Sequence, residues 1–176
     1  MSNTVFVRKA GIEDMSTIVD IGKRTFSETY SEAGLNGTLS TCVDQKFNEQ
    51  EIEKELSRPF TEFYLAFAND RPVAFTKLRH DSTVKGIEGK KALEIERIYV
   101  LKEYQGVKVG KELMDSCIQM AIQNRYEVIW LQVWQRNNKA IRFYQKAGFV
   151  VFDTAVFNLA LNIEQDDFLM RLDLYY

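Results

Sequence analysis

The chain has 176 residues, of which 45% are hydrophobic and 27% are charged, a size and composition that suit one globular domain. Its 23 lysines and arginines nearly balance 25 aspartates and glutamates, so the formal net charge of -2 provides no overall basic field for nucleic acid or an anionic membrane. Two distant cysteines and a single histidine exclude a disulfide framework and a His-rich metal site.

The sequence shows no sign of targeting or of a second domain. No charged amino-terminal stretch is followed by a long apolar run, and no segment approaches the roughly 18 consecutive apolar residues that a membrane helix needs. Reduced thiols and the absence of a signal favour a cytoplasmic protein. Since no linker or internal repeat divides the chain, we expect one domain over residues 1–176.

The first elements are predicted to be a strand, a long helix and a loop. The strand covers residues 5–10. Apolar residues then recur at helical spacing, which predicts an amphipathic helix with this face: Met15, Ile18, Val19, Gly22, Phe26 and Tyr30. Glycines and an asparagine punctuate residues 31–44, which show no apolar period and are predicted to be a loop.

A capped helix and a hairpin follow. Asn48 and Glu51 have the spacing of a capped helix start, and this helix is expected to end near Arg58. The segments 62–68 and 72–79 flank a turn-forming Asn-Asp-Arg sequence, so we predict two hairpin strands there.

The second half of the chain alternates strands and helices. After a loop at 81–91, the pattern predicts a strand at 92–101, a helix at 105–124, a strand at 127–134, a helix at 137–147, and strands near 149–159 and 168–175 around a turn at 162–166. Cys117 lies on the apolar stripe of the first of these helices, so we expect it in the core. The chain is thus predicted to be a mixed α/β sheet flanked by helices.

A candidate anion site lies between a strand and the start of a helix. It reads Gln105-Gly106-Val107-Lys108-Val109-Gly110-Lys111. Unpaired backbone N–H groups and the positive end of a helix dipole hold phosphates well at such a place. The glycines fit neither the dinucleotide fingerprint nor a P-loop. A simple tight turn explains a glycine pair equally well.

The flanking segments make the motif recognisable. LEIERIYV at 93–100 precedes it, and IWLQVWQRN at 129–137 follows. The next residues match every fixed position of the pattern N-x-x-A-x-x-F-Y-x-x-x-G-F: Asn137, Ala140, Phe143, Tyr144, Gly148 and Phe149. About 60 residues in all resemble the GNAT superfamily of acetyl-CoA-dependent N-acetyltransferases, and the two strand sequences are similar to its PaiA-type spermidine/spermine members.

This resemblance implies a fold, a cofactor and a set of cofactor contacts. The fold would be an α/β GNAT-like sheet of about seven mostly antiparallel strands, with strands 4 and 5 splayed around acetyl-CoA. The implied acetyl-CoA contacts are Ile98, Tyr99, Val100, Gln105, Gly106, Val107, Lys108, Val109, Gly110, Lys111, Asn137 and Lys146. Lys108 replaces the first glycine of the family's loop, and a negative φ there would let the loop keep its shape. Asn137 suits a helix N-cap as well.

The resemblance also implies a catalytic pair. Tyr144 corresponds to the tyrosine that donates a proton to the departing thiolate. Glu96 is the implied base, acting through water on an amine whose ordinary pKa of about 10.4 leaves it protonated at neutral pH. Glu94 shares its face of the strand and remains an alternative. A structural role for Glu96, paired with Arg97 or Lys77, is the competing interpretation.

The acceptor implied by the resemblance is a small-molecule amine, most simply a polyamine. Phe26, Glu28, Tyr30 and Trp134 are predicted to bind it. The acidic Glu32 and Asp44 and the aromatic Phe47 are further candidates, although a solvated face and an ordinary core explain the same residues.

Two other functions stay open: a peptide or protein N-acetyltransferase of the same fold, and a non-catalytic acyl-CoA-binding regulatory domain. The last strands, with Tyr175 and Tyr176, could pair across a homodimer. Cys42 is expected in a loop, where its thiol could be exposed. His80 is expected at the surface.

Overall fold

The fold is a seven-stranded mixed sheet with helices, as seen in a computed structural model that describes residues 4–32, 40–160 and 163–175. The strands are β1 (Val5–Lys9), β2 (Thr61–Ala68), β3 (Arg71–Arg79), β4 (Ala92–Val100), β5 (Val128–Trp134), β6 (Val150–Ala160) and β7 (Ile163–Asp173). The described α-helices are α1 (Met15–Glu32), α2 (Ser40–Lys46), α3 (Glu49–Leu56), α4 (Val109–Gln123) and α5 (Asn138–Lys146). The predicted fold class is confirmed.

The strand order is β1-β2-β3-β4-β5-β7-β6. The β1/β2, β5/β7 and β6/β7 pairs are antiparallel, whereas β4 and β5 are parallel. Residues group into two compact units. Within the described residues, the first unit holds 4–32, 40–78 and 97–116, and the second holds 79–96, 117–160 and 163–175.

Local sequence explains several elements of the first unit. The side chain of Asn48 accepts a hydrogen bond from the Glu51 backbone N–H at 2.9 Å and caps α3, as predicted. Asn69 and Asp70 have φ angles of 49° and 62°. Asparagine and aspartate tolerate this left-handed region well, which gives β2 and β3 the tight turn of a hairpin.

A buried ion cluster joins α3 to β3 and β4 in the first unit. The guanidinium of Arg97 donates two hydrogen bonds to the carboxylate of Glu55, at 2.6 and 2.9 Å. The ammonium of Lys77 lies 2.9 Å from Glu55 Oε1, and both side chains are almost fully buried. The Arg97 guanidinium also lies over the ring of Phe47, 5.3 Å from its centroid.

The second unit is built around β5. The parallel register joins Ala92–Glu94 to Val128–Trp130, while β7 pairs with the whole of β5. Because side chains alternate along a strand, Val128, Trp130, Gln132 and Trp134 share one face of the sheet. Near one end this face is apolar, where a cluster includes Ile87, Ala92, Val128, Trp130 and Leu169.

Three element predictions were wrong at their boundaries. The predicted loop at 31–44 contains the end of α1 and most of α2, and residues 33–39 lie outside the described part of the chain. Helix α4 begins at Val109, after a short 3-10 turn at Lys102–Tyr104 and a four-residue turn, rather than at Gln105. Strand β7 begins at Ile163, where a turn was expected. Residue 162, the first of the expected turn, is not described, and neither is residue 161 before it.

Both cysteines are buried. Cys117 lies on α4 and is buried in the core, as predicted. Cys42 lies on α2 and is also buried, so the expectation of a loop thiol was wrong. Neither forms a disulfide. No helix of the described residues combines the length and apolarity needed to cross a membrane.

Candidate active site

The loop before α4 has the backbone shape of an anion-binding turn. Residues 105–108 are exposed, and Gly106 and Lys108 both have positive φ angles, of 83° and 71°. Residues of alternating φ sign point successive N–H groups to one side, and the first N–H groups of α4 follow directly. The condition of a negative φ at Lys108 is not met, because the lysine takes the left-handed conformation that the family's glycine would take.

Side-chain contacts hold this loop in the first unit. The amide of Gln105 donates to the backbone oxygen of Val100 at 2.9 Å, which ties the loop to the end of β4. Val109 is buried, whereas Val107 is exposed. Lys111 forms an ion pair with Asp115 one turn along α4.

The last residues of β4 are half-buried. The Tyr99 ring packs against Phe47 and Phe75, with centroid separations of 6.0 and 5.4 Å. The side chain of Tyr99 therefore packs against core aromatic rings, and the backbone contacts predicted for Ile98, Tyr99 and Val100 stay a prediction.

Helix α5 positions Tyr144 in the second unit. Asn137 is the N-cap: its side-chain oxygen accepts from the Ala140 N–H at 3.1 Å, so the N-cap prediction is confirmed. At the other end Gly148 has φ 98°, the Gly148 N–H donates to Gln145 O, and the Phe149 N–H donates to Tyr144 O, both at 3.0 Å.

These two bonds form a Schellman C-cap, which needs a left-handed residue where Gly148 stands. The rings of Tyr144 and Phe149 pack with centroids 6.1 Å apart, as an apolar contact of that motif. The cap explains why Tyr144 and the Gly-Phe pair occur at fixed spacing. Tyr144 is buried, and Lys146 is exposed in the last turn.

Glu94 and Glu96 lie on one face of β4 and share a cation. Arg79 Nη1 lies 3.7 Å from Glu94 Oε2, and Arg79 Nε lies 3.9 Å from Glu96 Oε2. Glu94 is buried and Glu96 half-buried. Arg97 and Lys77, the structural partners considered for Glu96, both bind Glu55, and Arg79 is a cationic partner of Glu96. The sequence did not reveal Arg79 as the shared partner, since it lies on another strand.

The aromatic residues predicted to bind the acceptor form part of the core of the first unit. All three rings are buried: Phe26, Tyr30 and Phe47. The ring centroid of Phe26 lies 4.6 Å from that of Tyr30 and 5.7 Å from that of Phe47. Glu28 is half-buried, and Asp44 is exposed, with an ion pair to Lys23 at 2.8 Å. The side chain of Glu32 is outside the described part.

Trp134, the acceptor residue predicted in the second unit, has Asp167 of β7 as its cross-strand partner. Sequence reasoning missed Asp167, which stands one residue before the predicted start of its strand. Its buried carboxylate accepts hydrogen bonds from Gln132 at 3.0 Å and from Gln165 at 2.8 Å. Burial raises the pKa of Asp167, and the two amide hydrogen bonds oppose that rise.

His80 was expected at the surface but is half-buried, and its Nδ1 lies 2.6 Å from the Tyr126 hydroxyl. The pair joins the residue after β3 to a residue two positions before β5. A hydrogen bond to a tyrosine in the second unit explains the histidine structurally, without a catalytic role.

Comparison with known proteins gives a consistent family match. A model described as the acetyltransferase (GNAT) family matches residues 25–149. An uncharacterized N-acetyltransferase in the pepI 3′ region of Lactobacillus delbrueckii subsp. lactis is 28% identical over 159 residues, which cover 90% of this chain and 91% of that one. A spermidine N(1)-acetyltransferase of Thermoplasma acidophilum is 26% identical over 155 residues, covering 86% and 91%.

A solved structure shares the fold. The crystal structure of a PaiA N-acetyltransferase from Thermoplasma acidophilum, in complex with coenzyme A, superimposes with a TM-score of 0.77. The two chains are 22% identical, and the match covers 97% of this chain and 99% of that one.

Proposed function

Because the chain belongs to the GNAT family of acetyltransferases, we propose that it transfers an acetyl group from acetyl-CoA directly to a primary amine of a polyamine such as spermidine or spermine. The proposal treats residues 1–176 as a single acetyltransferase domain and keeps a cytoplasmic location as a prediction. The observation that carries it is the capped helix α5, which fixes the family's tyrosine within the second unit, and the anion-binding turn of the first unit supports it separately.

The turn before α4 suits the pyrophosphate of acetyl-CoA. Its exposed backbone has left-handed residues at Gly106 and Lys108, and its N–H groups adjoin the start of α4. We assign the residues from Gln105 to Lys111 to the phosphates, and the backbone of Ile98, Tyr99 and Val100 to the pantetheine arm. Asn137 and Lys146 are proposed as further contacts. The splay of β4 and β5 remains a prediction.

When bound, acetyl-CoA supplies the acetyl group as a thioester. Glu96, with Glu94 as the alternative, takes a proton from the acceptor ammonium through water, and the neutral nitrogen then bonds to the acetyl carbon. Backbone N–H groups near the end of β5 are proposed to polarise the carbonyl oxygen. As the carbon–sulfur bond breaks, the Tyr144 hydroxyl donates its proton to the sulfur, the second proton of the nitrogen restores that hydroxyl through water, and the proton taken by the glutamate is released to solvent.

The polyamine assignment has two supports. The relative from Thermoplasma acidophilum is named a spermidine N(1)-acetyltransferase, at 26% identity. In addition, Glu94 and Glu96 lie in the second unit with Asp167, and several carboxylates in one unit attract a polycation. Phe26, Glu28 and Tyr30 of the first unit and Trp134 of the second remain proposed acceptor residues, although the burial of Phe26 and Tyr30 favours a packing role.

The decisive experiment measures CoA release from acetyl-CoA by the wild type and Tyr144→Phe, with spermidine, spermine, a lysine-bearing peptide or no amine. We expect turnover with the polyamines and a kcat about 10²- to 10⁴-fold lower in Tyr144→Phe, because the thiolate would leave without its acid. The matched control is Tyr175→Phe, which removes a hydroxyl from a side chain that is 90% exposed.

Each other outcome selects a different function. Turnover with the peptide alone would favour a peptide or protein N-acetyltransferase. Binding of acetyl-CoA without release by any amine would favour an acyl-CoA-binding regulatory domain. A Tyr144→Phe enzyme within twofold of the wild type would remove Tyr144 from the chemistry.

A further inference from the structure

A buried carboxylate outside the proposed catalytic pair has no cationic partner among the described residues. Asp167 is 3% exposed. Its Oδ2 accepts a hydrogen bond from the Gln132 amide, and its Oδ1 accepts one from the Gln165 amide. Among the residues that the structure describes, no lysine, arginine or histidine forms an ion pair with Asp167.

This arrangement is costly unless a cation is supplied from outside. A buried carboxylate loses its hydration, and neutral amides replace only part of that stabilisation. A carboxylate offers about four lone-pair directions, of which the two amides use two. The two glutamines therefore hold Asp167 in one orientation while leaving it able to accept from a further donor, and an ammonium group would add the missing positive charge.

The position of Asp167 connects it with the chemistry assigned above. It is the direct cross-strand partner of Trp134, and such partners project from the same face of the sheet. Trp130 lies on the same face of β5, four residues before Trp134. It is the register partner of Glu94 on β4. Asp167 thus shares its face of the second unit with Glu94, and with Glu96 by strand alternation.

The nearby cations are already engaged. Arg79 contacts Glu94 and Glu96. Arg171, which lies four residues from Asp167 on the same face of β7, has its Nε 3.1 Å from Asp173 and its guanidinium over the Phe152 ring. Neither arginine has a described ion pair with Asp167, so its carboxylate is available to a cationic ligand.

We propose that Asp167 binds a second ammonium group of the polyamine acceptor, with Gln132 and Gln165 orienting its carboxylate. The inference rests on the proposed function and names the residue that distinguishes polyamines from monoamines. Only the nitrogen that reacts is deprotonated. The remaining nitrogens of a polyamine stay charged at neutral pH and need an anionic partner of their own.

The test compares the wild type, Asp167→Asn and Asp166→Asn with spermidine and with hexylamine. Asp166→Asn is the matched control, because it makes the same charge change at the exposed neighbouring position on the opposite face of β7. We expect Asp167→Asn to lower kcat/KM for spermidine by about 10- to 100-fold, the value of a hydrogen bond to a charged group. Its kcat/KM for hexylamine should stay within threefold of the wild type, and Asp166→Asn should change neither.

Equal losses on both amines, or an Asp167→Asn enzyme with wild-type selectivity, would overturn the inference. If Asp167→Asn does not fold, the wild type alone decides. Replacing 1,6-diaminohexane with 6-amino-1-hexanol removes the second ammonium and should lower kcat/KM by a similar factor, and equal values would overturn the inference. Polyamine turnover with any of these contrary results leaves the proposed function standing, whereas no CoA release with any amine overturns the function itself.

Discussion

The left-handed conformation of Lys108 is the most informative single-residue feature of the candidate site. A residue with a Cβ atom pays about 1–2 kcal/mol for this conformation, and glycine does not. The side chain is exposed, so packing does not repay the cost. The backbone shape is therefore imposed by the loop and the helix start that follows it.

We predict that Lys108→Gly is more stable than Lys108→Ala by about 1 kcal/mol, because both remove the lysine but only glycine relieves the strain. The measurement is the free energy of unfolding in urea for the two variants. With a negative φ the order would reverse, since alanine would then be favoured by about 0.4–1 kcal/mol through the unfolded chain. A reversed order would therefore contradict the structure of this loop.

At the residue scale the sequence predicted positions better than partners. The motif placed Tyr144, Asn137 and the loop residues on their elements because spacing along the chain determines these. The partner of Glu96 lies on another strand, and the sign of φ at Lys108 follows from the shape of its loop, which the residue type does not indicate. Arg97 and Glu55 are 42 residues apart, and no local pattern indicates that they meet.

At the scale of elements, the buried ion cluster connects α3 to two strands of the first unit. We predict that Glu55→Gln destabilises the protein by about 3–5 kcal/mol, because it leaves two buried cations without their anion. Glu51→Gln is the control on the same helix. The ion pairs of Glu51 are long and partly exposed, at 3.6 and 3.9 Å, so it should cost at most about 1 kcal/mol. Urea denaturation measures both, and equal costs would contradict the prediction.

The same cluster predicts acid sensitivity. Burial alone would raise the pKa of Glu55, but the charges and hydrogen bonds of Arg97 and Lys77 hold it below its usual value of 4.5. The unfolded chain then takes up a proton near pH 4.5 that the folded protein does not. Glu55 therefore contributes stability above that pH, and the contribution is lost as pH falls towards its folded pKa. The pH dependence of unfolding below pH 5 should be shallower in Glu55→Gln.

Element boundaries were predictable where a cap or a period marks them. The start of α3 was predicted correctly from its cap, Asn48, and the hairpin of β2 and β3 from its Asn-Asp turn. Helix α2 was missed because its seven residues are too few to show a period. Its two buried residues, Cys42 and Val43, are adjacent in sequence, and their burial results from packing against other elements. The early start of β7 was missed because four polar residues follow Ile163, and their pairing with β6 is not visible in the sequence.

At the scale of the whole molecule, the sheet ends at β6. Its exposed residues Val150, Val151 and Val156 lie on a strand that the order of the sheet leaves at one edge. Exposed edges of this kind can pair with another chain. The homodimer stays a prediction. Tyr175 follows β7 and is exposed, and Tyr176 is outside the described residues.

The burial of both cysteines predicts the thiol reactivity of the whole chain. Reaction with a disulfide reagent needs an exposed thiolate, and burial raises the pKa of the Cys42 thiol. We expect no thiol per chain to react rapidly with Ellman's reagent in buffer, and two to react in guanidinium chloride. Ser16→Cys, at an exposed position of α1, is the positive control and should add one rapid equivalent. Rapid reaction of the unmodified native chain would contradict the burial of Cys42 or Cys117.

Buried native thiols also make the chain convenient for fluorescence work. A dye attached through a maleimide would go almost entirely to one introduced cysteine, with no need to remove the native pair. Val107 is a suitable place, since its side chain is exposed in the turn before α4. A probe at Val107→Cys would report the arrival of the coenzyme as a change in emission, independently of any turnover.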